Sequence, residues 1–222
     1  SWAAVQAFAL YDLALAGRLE ASYAEKLFQE RGRLPLFGRA FLLKAYHRIA
    51  PGSEGEKTLI REFFNLAKIT AADAHFEEDD PSGLSWIYSS NARTTAIVLQ
   101  ALLETGGSGP VLSGAARWLV QKRSAPGWPS TQENFFVFYA LNEYYRRVEK
   151  GAPDFQARLS LAAKTLLEES FRRPEADFRA TVPLTAFPHD RDLPFLAEKT
   201  GTGFLYYSLR MSYAPQKPLP PR

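Results

Sequence analysis

The residues whose types and spacing are most distinctive lie in one turn near the middle of the chain. This turn reads Gly127-Trp128-Pro129-Ser130-Thr131-Gln132-Glu133-Asn134 and leads directly into an apolar stretch. Ser130 and Glu133 have the spacing at which a serine hydroxyl and a glutamate carboxylate cap the start of a helix reciprocally. Helix capping is a sufficient explanation of these residues. The alternative is that Trp128 and Gln132 also line a functional surface at the mouth of the helix.

A second group with potential chemistry is the acidic run Glu77-Glu78-Asp79-Asp80. Two positioned carboxylates serve as acid and base in glycoside hydrolysis, and Asp79 could pair with Asp190 or with Glu133 across the fold. The run does not match the Asp-x-Asp-Asp pattern of terpene cyclases. We therefore interpret it as a solvated acidic loop, and a glycoside-processing enzyme remains an alternative function.

The three histidines, His47, His75 and His189, lie on separate predicted elements and form no His-x-x-x-His pair. Zinc sites are built from closely spaced His, Cys and carboxylate ligands, and this chain contains no Cys. The sequence therefore predicts no metal site and no cofactor. It also excludes disulfides and cysteine nucleophiles within this segment.

Composition places the chain among ordered globular proteins with enough apolar material for a substantial core. Its 222 residues are 46% hydrophobic and 23% charged, with a net charge of +3. The basic pairs Lys122-Arg123, Arg146-Arg147 and Arg172-Arg173 fall near predicted helix ends, where cations offset the helix dipole. We therefore predict no nucleic-acid binding. No apolar run is long enough for a membrane helix, so we predict no membrane insertion by this segment.

Apolar residues recur at three- and four-residue spacing over most of the chain, which predicts one helix after another. The predicted helices span residues 2–16, 23–31, 36–49, 54–69, 92–104, 110–123, 131–149 and 154–172. Helix 92–104 and residues 135–145 are apolar around much of the circumference, whereas 54–69 and 154–172 carry one apolar stripe. This alternation predicts an inner and an outer layer of helices.

The sequence thus predicts a mainly α fold, a partial α/α toroid of about four helical hairpins over residues 1–173. A superhelical helix repeat is the rival interpretation. Beyond residue 174 the apolar period changes to two, which predicts a small antiparallel β unit over 174–215 and a linker tail over 216–222. Its predicted strands are 178–184, 193–199 and 204–213. Because the chain begins at Ser1 without Met, we expect it to be a segment of a longer protein.

Three motifs resemble parts of the thioester domain of bacterial alpha-2-macroglobulins, and they follow one another in the same order as in that family. The Trp-x-Ser-Thr-Gln turn at Trp128, which opens a helix with an Ala-Leu pair, resembles the late part of that domain. The Ser85-Trp86 turn leading through Arg93 and Thr94 is similar to the preceding inner helix. The closing stretch from Gly201 to Pro215 is similar to the strand that leaves the domain through a CUB-like sheet.

The resemblance implies a fragment of a large extracellular or periplasmic protease trap. In that family a cysteine and a glutamine form an internal thioester, which is sheltered until a protease cuts a bait region and is then attacked by lysines of that protease. The Cys-x-Glu-Gln element is absent from this segment, so either it lies upstream of Ser1 or the parent protein has no thioester.

The resemblance also implies that this segment is not an enzyme and forms a helical wall, with target proteases and neighbouring β domains as partners of the parent protein. A plain structural or binding scaffold is a further alternative. The resemblance marks these structural or surface positions: Trp86, Arg93, Thr94, Trp128, Ser130, Thr131, Gln132, Glu133, Tyr206 and Tyr207.

Overall fold

The computed structural model describes residues 2–78, 90–124, 127–173, 176–188, 191–207 and 209–212. They form two compact units, Ser1–Val148 and Glu149–Arg222. The first unit is built mainly of helices and the second contains a small antiparallel sheet. The predicted fold class, mainly α with a small β unit, is therefore confirmed.

The helices of the first unit begin and end close to the predicted positions. They are α1 (Trp2–Leu15), α2 (Ala21–Gln29), α3 (Leu36–Ile49), α4 (Glu54–Leu66), α5 (Asn91–Glu104), α6 (Pro110–Gln121) and α7 (Thr131–Tyr144). Two short strands, β1 (Lys68–Ile69) and β2 (Ala74–His75), pair with each other after α4. The strands of the second unit are β3 (Asp154–Leu161), β4 (Lys164–Phe171) and β5 (Phe195–Thr202).

Alternate helices of the first unit form two layers. Helix α1 packs on α3, α3 on α5, and α5 on α7, so these four helices make a continuous row. Helices α2, α4 and α6 contact this row as an outer layer: α2 touches α1 and α3, α4 touches α3, and α6 touches α5 and α7. At the α1–α3 contact, a Cβ on Gly38 would lie 3.2 Å from the Cβ of Ala4, so glycine allows this close approach.

The row differs from its middle to its ends. Helix α5 is buried on almost every face, as its apolar circumference predicts. Helices α1 and α7 end the row, and each exposes large apolar side chains: Trp2 and Val5 are 75% and 54% exposed, and Phe135 and Phe138 are each 62% exposed. The prediction that α7 is enclosed on several sides is therefore wrong for this chain as it stands.

Residues 154–172 are a β-hairpin, and the predicted helix there is wrong. The apolar side chains of β3 alternate strictly with polar ones, which is the period of a strand. The helix prediction rests on one apolar stripe with a charged opposite face, and the two-residue period of β3 overrides it. The outer helix that was expected after α7 is therefore replaced by this hairpin, and the β structure begins at Asp154 rather than beyond residue 174.

The second unit is a three-stranded sheet with the strand order β4-β3-β5, and all its pairs are antiparallel. One face of the sheet buries Phe155 of β3, which stacks on Phe171 of β4 at 4.8 Å between ring centroids. Phe178 packs edge-on against Phe171 at 5.1 Å. The opposite face carries polar pairs such as Arg158 with Glu168, whose nitrogen and oxygen are 2.7 Å apart.

Of the three strands predicted beyond residue 174, only the one at 193–199 is confirmed, as β5. The segment predicted as a strand at 178–184 lacks strand pairing; instead Phe178 packs alone on the sheet, and a short 3-10 turn occupies Leu184–Ala186. The described residues between 204 and 212 are also outside any strand, although their apolar side chains alternate. Alternating residues form a strand only when they pair with a neighbouring strand, and no strand in the described part of the chain pairs with these residues.

The turn that joins β3 to β4 is strained. Ala162 and Ala163 have φ values of +45° and +48°, in the left-handed region that costs an L-residue about 1–2 kcal/mol. Two-residue hairpin turns of this kind favour Asn-Gly. Replacing Ala162-Ala163 by Asn-Gly is expected to raise the free energy of unfolding by about 1–2 kcal/mol, measured by urea denaturation. Ala152→Gly, in an exposed position without positive φ, is the control and is expected to give no gain.

Two buried tyrosines are expected to make the helical unit sensitive to alkali. Burial, reinforced by the nearby charge of Glu104, raises the pKa of Tyr11 to about 12. Burial and the hydrogen bond that its hydroxyl donates to Glu25 raise the pKa of Tyr46 above its usual 10. The pKa of each tyrosine is higher in the folded chain than in the unfolded chain, so the protonated hydroxyls favour folding. Their contribution to the free energy of unfolding is complete below pH 10 and falls as the pH rises towards 12.

Tyrosinate absorbance at 295 nm gives the measurement for this alkaline transition. In a stepwise titration, the last tyrosines to ionise are expected to do so together with the loss of helical circular dichroism. Tyr11→Phe should remove part of the late absorbance change. Complete ionisation of all tyrosines near pH 10 with the helices intact would contradict the prediction.

Candidate functional site at the inner helix starts

Two glutamate carboxylates link the first turns of the inner helices α3, α5 and α7 to one another. Glu78 joins the starts of α3 and α5, and Glu133 joins the starts of α5 and α7. The first amides of a helix have no partner within it and carry a partial positive charge, so carboxylates are favoured there. This polar network is the candidate functional site, because it gathers most of the residues that the sequence marks.

Glu78 caps α3 from outside the helix. Its carboxylate accepts hydrogen bonds from the backbone amides of Leu36 and Phe37, at 2.8 and 2.9 Å. The hydroxyl of Thr94, in the first turn of α5, donates to the same carboxylate at 2.9 Å. The amide of Glu78 in turn donates to the side-chain oxygen of Asn91 at 3.3 Å. One side chain therefore fixes the starts of α3 and α5 to each other.

Glu133 completes the predicted capping box and reaches a second helix. Its Oε2 accepts from the amide of Ser130 at 2.9 Å, and Ser130 Oγ accepts from the Glu133 amide at 3.1 Å, which confirms the box. The hydroxyl of Ser90 donates to Glu133 Oε1, while Ser90 Oγ accepts from the Arg93 amide at 3.1 Å as the N-cap of α5. Both oxygens of Glu133 thus act in capping.

Two further pairs, Ser22 with Glu25 and Ser53 with Glu56, also have the sequence spacing of a capping box. One of these boxes forms in part and the other does not form. Ser53 caps α4 by accepting from the amide of Glu56, but the Glu56 carboxylate bonds to Gly52 and His47 instead of to Ser53. Helix α2 begins at Ala21, before the predicted cap Ser22, without a side-chain cap.

Arg93 and Gln132 form the outward-facing part of the site. Arg93 Nη1 donates to Gln132 Oε1 at 2.6 Å, and the Arg93 guanidinium lies 5.2 Å above the ring of Phe37. Gln132 is exposed, as is Thr131 beside it. A planar guanidinium with an amide at its edge offers both donors and acceptors to another polypeptide.

Trp128 stabilises the turn that precedes α7. Its indole is only 7% exposed, donates from Nε1 to the carbonyl of Leu119 at 3.1 Å, and meets Phe138 edge-on at 5.5 Å. The side chain of Asn134 bonds to both the amide and the carbonyl of Trp128, at 3.2 and 2.7 Å. These bonds fix the turn before α7, so the positions of Gln132 and Glu133 depend on it.

The remaining predicted site residues lie elsewhere. Tyr206 and Tyr207 belong to the second unit, where the Tyr206 hydroxyl bonds to Glu149 and the Tyr207 ring lies 5.5 Å from Phe195. Trp86 falls outside the described residues. So do His189 and both aspartates of the glycosidase hypothesis, Asp79 and Asp190.

The two described histidines make separate contacts. His47 Nδ1 lies 2.6 Å from Glu56 Oε1, and His75 Nε2 lies 3.0 Å from Glu77 Oε1. The His75 ring also stacks on Trp118 at 4.7 Å. Within residues that the structure describes, no group of three or more His, Asp or Glu side chains could hold a metal ion. The same residues contain no helix long and apolar enough to cross a membrane.

A second polar cluster lies towards the C-terminal ends of the inner helices α3 and α5. Lys44 of α3 is 3% exposed and its Nζ lies 3.2 Å from Glu104 Oε1, at the end of α5. The ammonium is also 4.3 Å from the centroid of the Tyr11 ring. Burial lowers the pKa of Lys44 below its usual value. The inner helices are thus joined by charged side chains at both ends.

Sequence reasoning missed several residues of the site. The sequence predicts a solvated loop at Glu78. In the structure the Glu78 carboxylate accepts hydrogen bonds at the start of α3, which is distant in sequence, and this contact reveals its function. Ser90 follows no capping-box pattern, because position 93 is arginine. Asn134 belongs to the quoted turn, but its two-sided bonding to Trp128 has no distinctive sequence pattern.

The comparisons with known proteins support one family of folds. No protein-family model and no curated protein matches the sequence. Two crystal structures of Salmonella alpha-2-macroglobulin, one reacted with methylamine and one of a point mutant, are similar, with TM-scores of 0.55 and 0.53 and 18% sequence identity each. Each match covers 90% of this chain and 10% of the solved chain. The resemblance expected from the sequence is thus confirmed as a likeness of fold, with a segment about a tenth of the length of those proteins.

Proposed function

We propose that this chain is a non-catalytic segment of an alpha-2-macroglobulin-like protease inhibitor and forms part of the helical wall of its thioester-type domain. The observation that carries the proposal is the fold likeness over 90% of the chain, in which a layered row of helices is followed by strands. The parent protein acts outside the cytoplasm, in the periplasm or extracellularly, with target proteases and adjoining β domains as its partners. The segment itself neither binds nucleic acid nor inserts into a membrane.

The packing of the inner helices supports a segment of an α/α toroid. Phe41 of α3 contacts Phe8 of α1 at 4.9 Å and Phe136 of α7 at 6.3 Å between ring centroids. Helices α3 and α7 are separated by α5 in the row, so a ring contact between them requires the row to curve. Curvature of an inner layer around a common axis is a property expected of a toroid.

The exposed ends of the row support the idea that further helices complete this wall. Helix α1 contains one charged residue, Asp12, and is apolar around its circumference, which is typical of a helix enclosed on all sides. In this chain its outer face, including Trp2 and Val5, is exposed. Helix α7 also exposes large apolar side chains, Phe135 and Phe138. We propose that helices from the rest of the parent protein cover both faces.

The polar network at the helix starts supports a sheltering function. An activated acyl group survives in water only where access is restricted, and a rigid wall restricts access. Glu78 and Glu133 fix three helix starts and so reduce their freedom to separate. The thioester itself is absent from this segment, which has no Cys. It is supplied elsewhere in the parent protein or is missing from it.

The test uses the full parent protein and trypsin. A protease held inside a trap cannot reach large substrates but still reaches small ones. We expect the parent protein to abolish cleavage of casein by trypsin while cleavage of a small peptide substrate continues. Equal cleavage of casein with and without the parent protein would refute the proposal. Prior treatment with methylamine should remove covalent capture only if the parent protein contains a thioester.

A variant of this segment connects the wall to the inhibition. Glu78→Ala in the parent protein is expected to loosen the starts of α3 and α5 and to increase the rate at which stored protein loses trapping activity. Glu77→Ala removes the neighbouring, 46% exposed carboxylate and serves as the matched control. If both variants lose activity at the rate of the unmodified protein, the wall does not shelter the reactive site.

A further inference from the structure

Residues 74–78 lead from the outer helix α6 to the starts of the inner helices, all within the first unit. Their side chains alternate, as in an extended backbone: Ala74 and Phe76 are buried, whereas Glu77 is exposed. The segment begins as β2, which packs on α6, and ends at Glu78, whose carboxylate caps α3. We refer to residues 74–78 as the strap.

The first end of the strap lies directly on α6. A Cβ on Gly114 of α6 would lie 2.8 Å from the backbone nitrogen of Ala74 and 3.0 Å from its Cβ, so only glycine allows this approach. One turn further along α6, the ring of Trp118 stacks on His75 with 4.7 Å between ring centroids and 3° between ring planes. Backbone and side-chain contacts therefore both fix β2 on this helix.

The middle of the strap is fixed to α5 and α4. The amide of Phe76 donates to Thr95 Oγ1 at 3.0 Å, and the Thr95 hydroxyl donates back to the Phe76 carbonyl at 3.3 Å. The Phe76 ring meets Phe63 of α4 edge-on, with 6.2 Å between ring centroids. All three residues are fully buried, where an unpaired polar group is costly. The strap is therefore held to one path between the helices.

We propose that the strap couples α6 mechanically to the candidate site, so that the position of α6 controls how firmly Glu78 caps α3. An extended backbone rises about 3.3 Å per residue, which is close to its maximum, so it cannot lengthen when its start is displaced. A shift of β2 on α6 must then be passed along the strap or break the bonds to Thr95. Either response weakens the hold of Glu78 on the amides of Leu36 and Phe37.

The coupling makes the outer helix α6 a control point for the inner layer. Helix α6 itself makes no listed hydrogen bond to the start of α3, and the strap supplies the connection through Glu78. This inference concerns the packing of the first unit and does not depend on the proposed function.

Amide hydrogen exchange, measured by NMR on the full 222-residue chain, reports the far end of the strap. The amides of Leu36 and Phe37 are the first of α3 and have no partner within the helix, so their protection depends on Glu78. Gly114→Ala forces β2 and α6 apart. We expect exchange of the two amides to accelerate about ten-fold or more, because hydrogen bonds to a charged group are weakened.

A matched control separates coupling from general destabilisation. In Gly55→Ala, at the start of α4, the new Cβ would lie 2.6 Å from the ring of Tyr46. This is a comparable overlap in the same unit, but it does not involve the strap. Gly55→Ala is expected to lower the midpoint of urea denaturation and to leave exchange of the first two amides of α3 unchanged.

A milder variant keeps the test decisive if Gly114→Ala does not fold. Arg117 Nε donates to the carbonyl of Ala72 at 2.9 Å and so holds the turn before the strap to α6. Arg117 is exposed, so Arg117→Met is expected to fold and to accelerate exchange of the two amides about three-fold. Arg123→Met removes the same charge beyond the end of α6 and is expected to cause no acceleration.

The outcomes separate cleanly. Acceleration at the first two amides of α3 in both strap variants and in neither control supports the proposal. Unchanged exchange in Arg117→Met, or in folded Gly114→Ala, would overturn it. An equal acceleration in Gly55→Ala or in Arg123→Met would also overturn it, because the effect would then be general destabilisation or loss of charge.

Discussion

Replacing Glu104 with alanine is expected to lower the free energy of unfolding by about 3–5 kcal/mol, the largest effect of any single substitution proposed for this chain. The reason is the partner that remains: the Lys44 ammonium is 3% exposed and loses the carboxylate 3.2 Å away. Urea denaturation at pH 7 gives the measurement. Glu54→Ala removes one half of an exposed ion pair with Lys57 and is expected to leave the midpoint of urea denaturation almost unchanged.

The pH dependence of the Glu104→Ala variant checks this explanation. Burial already lowers the pKa of Lys44 below 10.5 in the intact chain, and without Glu104 only the weaker attraction of Asp12 opposes that effect. A lysine whose folded-state pKa lies below its unfolded value opposes folding while it is protonated. The deficit of the variant should therefore shrink as the pH rises towards 10.5. The double variant Lys44→Met/Glu104→Leu should recover most of the stability at pH 7; a deficit equal to that of Glu104→Ala would contradict the buried-charge explanation.

Glu78→Ala is expected to be the next most destabilising change, at about 2–4 kcal/mol. It removes the acceptor of two backbone amides at the start of α3 and leaves the Thr94 hydroxyl, which is fully buried, without its partner. Hydrogen bonds to a charged group contribute about 1.5–3 kcal/mol each, and part of the loss is recovered when water reaches the exposed amides. Thermal and urea unfolding of the variant give the measurement.

The neighbouring carboxylate and a double-mutant cycle separate capping from general charge effects. Glu77→Ala removes the same charge one residue away and should cost less than about 1 kcal/mol. Thr94→Val combined with Glu78→Ala should give less than the sum of the two single effects, since both remove the same bond. Strict additivity, or equal losses at positions 77 and 78, would show that Glu78 does not link α3 to α5.

The helices could be predicted from the sequence because their information is local. Helix α3 was predicted at its observed bounds, and the capping box at Ser130 and Glu133 specifies the start of α7 within four residues. The hairpin at Asp154–Phe171 was missed although its first strand alternates apolar and polar residues. The helix-favouring Ala162-Ala163 pair lies at a strained turn, where the sheet pairing overrides local preference.

The candidate site could be predicted only in part, because its bonds join residues far apart in sequence. The local half, Ser130 with Glu133, follows from spacing alone. The other half depends on Glu78 meeting Leu36 and on Ser90 meeting Glu133, contacts that span about forty residues. No pattern in a single sequence encodes these contacts, because they form only when the helices pack side by side.

The hydrogen bond between the Glu78 amide and Asn91 has a practical consequence for engineering. It holds residues 78 and 91 side by side. Lengthening a segment whose ends are already held together costs little, about 0.6 kcal/mol for each doubling. An epitope, a fluorescent reporter or a protease recognition sequence inserted between residues 78 and 91 should therefore leave β2 and α5, the elements on either side, folded. This position offers a place to attach a probe to the first unit without disturbing its core.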